Sequence, residues 1–225
     1  MSMPFYVPPE QMMREKADFA RKGIARGKAL VALQYADGIV IVAENPSTSL
    51  RKISEIYDRL AFAGVGKYSE FDQLRTAGIR IADLRGYQYS RRDVEGRSLA
   101  NEYAQFMGQL FTHESKPLEV EILVAEVGET PEGDNLFHIT YDGTVVDEKV
   151  FAVLGGDAEA IAGRMAGVTA DLDLTAAVRS AAAALAGPER RLDADDLEVG
   201  ILRRGSERRC FSRVDDDQVA ALLGN

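Results

Sequence analysis

The chain has 225 residues, an apolar fraction of 46% and a formal net charge of −9. This length allows one large domain or two small ones, with enough apolar residues for a real core. The acidic balance excludes the broad basic footprint of a nucleic-acid binder or an anionic-membrane binder.

No apolar run reaches the roughly 18 residues of a membrane span. The N-terminus, "MSMPFYVPPEQ", lacks a positive n-region and a long apolar core, so it does not read as a secretory signal. A cytoplasmic protein is expected. The one cysteine, Cys210, allows no internal disulfide. It stands in the alternating run "RRCFSRV" and reads as a buried strand residue. No Pro/Ser-rich linker or low-complexity tract interrupts the chain. One domain over residues 10–225 is therefore expected, behind a tail of residues 1–9.

In chain order, the tail holds Pro4, Pro8 and Pro9 with Met3, Phe5, Tyr6 and Val7 among them. Proline blocks regular structure there, and an apolar tail suggests contact with another surface, such as a second copy of the chain. Pro9 suits the first position of a helix over residues 10–27. Met13, Ala17, Ala20 and Ile24 fall at helical spacing on one side, with Met12 and Phe19 beside them. Arg14, Lys16, Arg21, Lys22 and Arg26 form the other side, and Gly27 suits a C-cap.

The stretch "KALVALQYADGIVIVAE", residues 28–44, reads as a β-hairpin. Leu30–Leu33 and Ile39–Val42 are its arms, and Tyr35-Ala36-Asp37-Gly38 is its turn. Arms so free of polar residues suit strands buried on both faces. Two further strands are expected at Leu50–Ile56 and Leu60–Val65. Helices follow over 67–85 and 91–112, the second carrying Leu99, Tyr103, Phe106 and Leu110 at its core spacing. Three or four strands then run to residue 154, with Asp142-Gly143 as a hairpin turn. Helices over 157–166 and 171–186 come next, the latter stopped by Gly187-Pro188. A last hairpin and a short terminal helix complete the chain. The acidic runs Asp193–Glu198 and Asp215–Asp217 read as solvated turns and helix starts. Strands and helices come in blocks, so the class is α+β with antiparallel sheets, two buried sheets lying between helical layers.

Catalytic and ligand motifs are sparse. Two histidines, His113 and His138, stand in different elements without partners at ligand spacing, so no transition-metal site or other cofactor is expected. There is no G-x-S-x-G elbow. The string "AFAGVGKY" imitates a phosphate loop, but Ala61 replaces its first glycine and Tyr68 its Ser/Thr, so no magnesium ligand exists there. From composition and spacing alone the chain is a soluble α+β protein that oligomerises.

At the hairpin a resemblance becomes specific. "KGIARGKALVALQYADGIVIVAENP", with "LRKISEIYDRLAFAGVG" after it, resembles the proteasome family, on its actinobacterial α-type branch. "PFYVPPEQMMREKADFARKGIARG" resembles the helix that α-type members have and catalytic β-type members lack. The likeness spans nearly the whole chain, is densest over residues 4–112 and fades after about 190. It implies a four-layer αββα sandwich of the N-terminal-nucleophile hydrolase type. It also implies assembly: seven copies in a ring, with two such rings capping two heptameric β-rings.

Catalytic relatives begin the hairpin with a threonine that is both nucleophile and, through its freed α-amine, base. Here Lys28 matches that threonine, Glu44 the family's aspartate and Lys52 its lysine. Lys28 has no hydroxyl and its nitrogen lies in an amide behind Gly27, so the resemblance implies a subunit without its own catalysis. Lys52 would instead bind the C-terminal carboxylate of an activating AAA ATPase ring, as a charge-assisted contact. The tail residues Met3, Pro4, Phe5, Tyr6, Val7 and Pro8 match a gate on the ring axis. "FTHESKPLEV", residues 111–120, matches the pore loop, with His113 and Lys116 as lining residues. The tail lacks the Tyr-Asp-Arg gate signature of archaeal and eukaryotic relatives, so gate geometry does not carry over from them.

The implied partners are copies of the chain itself, the β-subunit, the ATPase ring, and unfolded proteins tagged by a ubiquitin-like modifier. Nucleic acid and membrane are not among them. Two other readings compete. An active threonine hydrolase of the same fold would need a processed N-terminal threonine, visible by intact mass. An unrelated oligomeric binding domain would stay small on size exclusion even with the β-partner present.

Overall fold

The computed structural model describes residues 8–206 and 208–224. In chain order its elements are α1 (Pro9–Ala25), β1 (Leu30–Tyr35), β2 (Gly38–Glu44), β3 (Ile53–Tyr57), β4 (Leu60–Gly66), α2 (Tyr68–Gln88), α3 (Gly96–His113), β5 (Val120–Glu126), β6 (Asn135–Ile139), β7 (Val145–Glu148), β8 (Phe151–Leu154), α4 (Ala158–Met165), α5 (Leu174–Ala186), β9 (Leu197–Arg203), β10 (Phe211–Val214) and α6 (Asp216–Leu223). This is the order of blocks that the periodicity predicts.

The hairpin of β1 and β2 pairs from Leu30↔Ala43 to Tyr35↔Gly38, turning over Ala36-Asp37. Gly38 sits at φ 146°, and a Cβ there would lie 2.1 Å from the Leu202 carbonyl oxygen, so only glycine fits this close approach to β9. Two five-stranded sheets form, ordered β10-β9-β2-β1-β8 and β3-β4-β5-β6-β7, with every pair antiparallel.

Alternation along the strands explains why they are apolar on both faces. Leu30, Ala32, Ile39, Ile41 and Ala43 point between the sheets, against Ala61, Ala63, Leu123 and Ala125. Val31, Leu33, Val40 and Val42 point the other way, onto Val178, Ala181 and Leu185 of α5. On the far side Phe62, Ile122 and Val124 meet Phe71, Leu74, Leu99 and Tyr103 of α2 and α3. The result is a helix–sheet–sheet–helix sandwich, as expected. Alanine-rich α5 lies close on its sheet. It starts where the Asp173 carboxylate accepts the Ala176 N–H at 2.8 Å and ends at Gly187, φ 68°.

α1 stands outside this layering. Ala20 and Ile24 insert into the layer between the sheets. Gly23 lets the helix approach the strand entering β5, because a Cβ there would lie 2.6 Å from Cβ of Glu119. Gly23→Leu is expected to lower stability by about 1–3 kcal/mol through overpacking at this contact, read from the thermal midpoint. An unchanged midpoint would mean that α1 does not need this approach.

The structure corrects several details. Lys16 is not on the solvated basic side: it is 8% exposed and donates to the Phe111 carbonyl in the last turn of α3 at 3.1 Å. Arg26, not Gly27, caps α1. The helix expected from residue 91 starts at Gly96, where its first N–H donates to the Glu126 carboxylate at 3.1 Å; Arg91–Asp93 form a separate short turn. Phe106 is half exposed, because Met107 continues the buried row of Leu99 and Tyr103 at steps of four. Glu198, read as part of a solvated acidic run, is 3% exposed inside β9. Cys210 is buried, as expected. Among the described residues, no helix is long and apolar enough to cross a membrane.

Candidate functional site

The open end of the β1–β2 hairpin gathers Lys28, Glu44, Lys52 and Arg190. Lys28 is the last loop residue but one before β1, and Glu44 is the last residue of β2. The Glu44 N–H donates to the Ala29 carbonyl at 3.0 Å and closes the hairpin between them. Lys52 lies just before β3, so the lysine expected within a strand is in fact on its approach. Its ammonium donates to the Lys28 carbonyl at 2.5 Å and to the Glu44 carbonyl at 3.0 Å. One side chain from the approach to the second sheet thereby staples both ends of the hairpin in the first.

The Glu44 carboxylate faces the other way. Its Oε1 lies 2.8 Å from Lys28 Nζ and 2.8 Å from Arg190 Nη1, and its Oε2 accepts from Arg190 Nη2 at 3.1 Å. Burial by itself would raise the Glu44 pKa, but the Arg190 and Lys28 hydrogen bonds outweigh it and hold the carboxyl below its usual range. Lys52 moves in the opposite sense. Burial lowers it from 10.5 to about 8, against the opposing pull of Glu198 and Glu44.

Glu198 anchors the loop that carries Lys52. Its carboxylate accepts from the Lys52 N–H at 2.8 Å, the Ile53 N–H at 3.2 Å and Asn45 Nδ2 at 2.7 Å, and it pairs with Arg213. A cleft of about 440 Å³ opens beside the hairpin, between the end of α1, the start of α4 and the loop after α5. Arg26, Lys28, Arg164 and Arg190 line it together with Glu44, Asp157 and Glu189, so its walls carry both signs with a small cationic excess. Lys52 lies behind Lys28 and Glu44 and does not line this cleft.

Lys28 Nζ is held in an ion pair and its backbone nitrogen is an amide. With the Lys28 ammonium and the Arg26, Arg164 and Arg190 guanidinium groups on the cleft wall, the arrangement can receive an anion. Among the described residues no group of three His, Cys, Asp or Glu side chains forms a metal site.

The other predicted residues lie at the opposite end of α1, a 17-residue helix about 25 Å long. Pro8 is exposed and precedes the first turn, its carbonyl accepting the Met12 N–H at 3.1 Å. Met3, Pro4, Phe5, Tyr6 and Val7 lie outside the described residues. His113 ends α3, with Nδ1 3.0 Å from the Gln109 carbonyl. Lys116 bridges Glu70 at 2.8 Å and Glu119 at 2.9 Å, with its ammonium 5.7 Å from the centre of the Phe19 ring. His113, Lys116, Met12 and Phe19 share one groove of about 520 Å³. The structure brings Lys28 and Lys52 together, and separately brings His113 and Lys116 together beside the start of α1.

Arg190, Glu198 and Arg213 escape the sequence reading. Each is a charged residue in an ordinary-looking run, and its partner is far along the chain. The one available signal was the phase of "LEVGIL", which sets Glu198 on the same strand face as the apolar Leu202.

Two five-stranded antiparallel sheets packed face to face between helical layers define an α+β sandwich protein. The chain belongs to the proteasome family: the family model described as "Proteasome subunit" matches residues 24–202. It is 61% identical over its full length to a proteasome subunit alpha of Acidimicrobium ferrooxidans, covering 97% of that protein. The proteasome subunit alpha of a Nocardioides species is 55% identical over 100% of this chain and 90% of its own length. That of Kineococcus radiotolerans is 54% identical over 99% and 98% respectively.

Proposed function

We propose that the chain is the non-catalytic α-subunit of a 20S proteasome core particle. Seven copies form each outer ring, seat it on a β-ring, gate entry through the residue 1–9 tails and dock an activating ATPase ring. What supports this reading is Lys28, which has no hydroxyl and whose nitrogen lies in a peptide bond at the head of the hairpin, with the Lys52 ammonium held on the hairpin's end carbonyls. Peptide hydrolysis then belongs to the β-subunit. Lys52 receives the C-terminal carboxylate of the ATPase, and substrates are unfolded proteins in the cytoplasm, marked by a ubiquitin-like modifier.

Co-expression with the β-subunit, particle sizing and a peptide-hydrolysis assay test the assembly. A large particle that hydrolyses peptides is expected. A monomer or dimer in the presence of the β-subunit would reject it.

The gate has its own test. The groove that Met12 and Phe19 of α1 share with His113 and Lys116 supports a pore loop beside the start of α1, where the tail leads in. Deleting residues 2–8 is expected to raise the rate of peptide hydrolysis by the assembled particle several-fold, by removing the obstruction. Equal rates with and without the tail would reject the gate.

A further inference from the structure

Lys52 has three N–H donors, as any ammonium does. Two are spent on the carbonyls of Lys28 and Glu44. Among the described residues no carboxylate forms an ion pair with it, although Glu44 stands beside it. The reason lies at Arg190. Its guanidinium grips both carboxylate oxygens of Glu44, at 2.8 and 3.1 Å, and its Nη2 also donates to the Leu185 carbonyl in the last turn of α5 at 3.0 Å. That three-point hold fixes the guanidinium plane. A planar fork of this kind dictates the direction of a carboxylate as a single ammonium cannot. Lys28 completes the hold on the same side.

We propose that Arg190 is a positioning residue for activator docking: it holds the Glu44 carboxylate on the cleft side, leaving the third N–H of Lys52 for an incoming carboxylate. This rests on the reading that Lys52 receives the C-terminal carboxylate of the ATPase. Lys28, Lys52 and Arg190 against Glu44, with the nearby Glu198 already paired to Arg213, leave a net charge of +2 at the hairpin mouth. Without Arg190 the charge falls to +1, and Glu44, tethered at the same strand end, competes for Lys52 from within the protein.

The test uses the reconstituted α–β particle and its cognate ATPase ring, with a ring lacking its last three residues as the control. Arg190→Ala is expected to raise the ATPase concentration for half-maximal docking about tenfold, without lowering the rate at saturation. Glu44→Gln breaks the same ion pair but removes the competitor, so it is expected to dock at wild-type concentration or below. The double variant Arg190→Ala/Glu44→Gln is expected to return to within about twofold of wild type. If Glu44→Gln weakens docking as much as Arg190→Ala, the ion pair is only structural and the proposal fails. If Lys52→Met abolishes docking while Arg190→Ala leaves it unchanged, the proposal fails and the reading of Lys52 stands. If Lys52→Met leaves docking unchanged, both fail.

Discussion

Replacing Lys52 by methionine is expected to weaken docking of the activating ATPase by about 10- to 100-fold per contact, the range for losing a hydrogen-bonded charge pair. ATP-dependent protein degradation should fall in step. Methionine keeps the length and packing of the side chain while removing the ammonium. It also leaves the Lys28 and Glu44 carbonyls without their donor. Some loss of thermal stability is therefore expected, and docking must be compared in particles of confirmed size. Wild-type docking by the Lys52→Met particle would overturn the role of Lys52.

The pH dependence follows from the burial of the ammonium. With the Lys52 pKa lowered to about 8, docking through this charge should decline as pH rises through 8. An ordinary exposed lysine would hold its charge until about 10.4. The sign for stability is opposite. Between about 8 and 10.5 the unfolded chain still binds the proton that the folded chain has released, so this group stabilises the fold as pH rises across that window. Docking that stays flat to pH 10 would show that Lys52 regains its full charge in the assembled ring.

The second large effect is on folding. Glu198→Ala is expected to cost about 3–5 kcal/mol, because it strands the Arg213 guanidinium in a half-buried site. It also removes the acceptor of two backbone N–H groups and of Asn45. For a chain of this size that corresponds to a fall of roughly 10 °C in the thermal midpoint. A midpoint within about 2 °C of wild type would show that these partners find other acceptors. Glu198→Gln should be milder, since an amide oxygen still accepts the strand N–H groups. Glu198 also fixes the backbone of Lys52, so the alanine variant should weaken docking even where particles form.

Much of the architecture was legible because it is written locally. The unbroken Val/Ile/Leu arms of residues 30–42 stated burial on both faces, and Asp37-Gly38 stated the turn between them. Gly187-Pro188 stops α5 as expected, whereas the helix starts at Leu174 behind its Asp173 cap and not at residue 171. The errors cluster where one helix face meets a particular neighbour. Phe106 and Met107 are equally apolar, and only the docking of α3 on its sheet selects Met107. Lys16 reads as a solvated cation until the end of α3 presents it with a carbonyl.

By itself, then, the sequence determined the order of elements, the doubly apolar strands, the absence of a threonine at the head of the hairpin and, through its resemblance, the family. These depend on residues close together in the chain, where periodicity and turn chemistry act directly. The tertiary structure alone decided what surrounds the lysines. Arg190 meets Glu44 across 146 residues, and Glu198 meets Asn45 across 153. Such pairings carry no local pattern. They exist because β9 lies beside β2 in the sheet, with register Glu44↔Leu197, and because α5 packs on that sheet and ends above the hairpin's mouth. Lys28 and Lys52 could be named from the chain, but the charge, direction and third donor on which the proposed docking at Lys52 depends come from the packing.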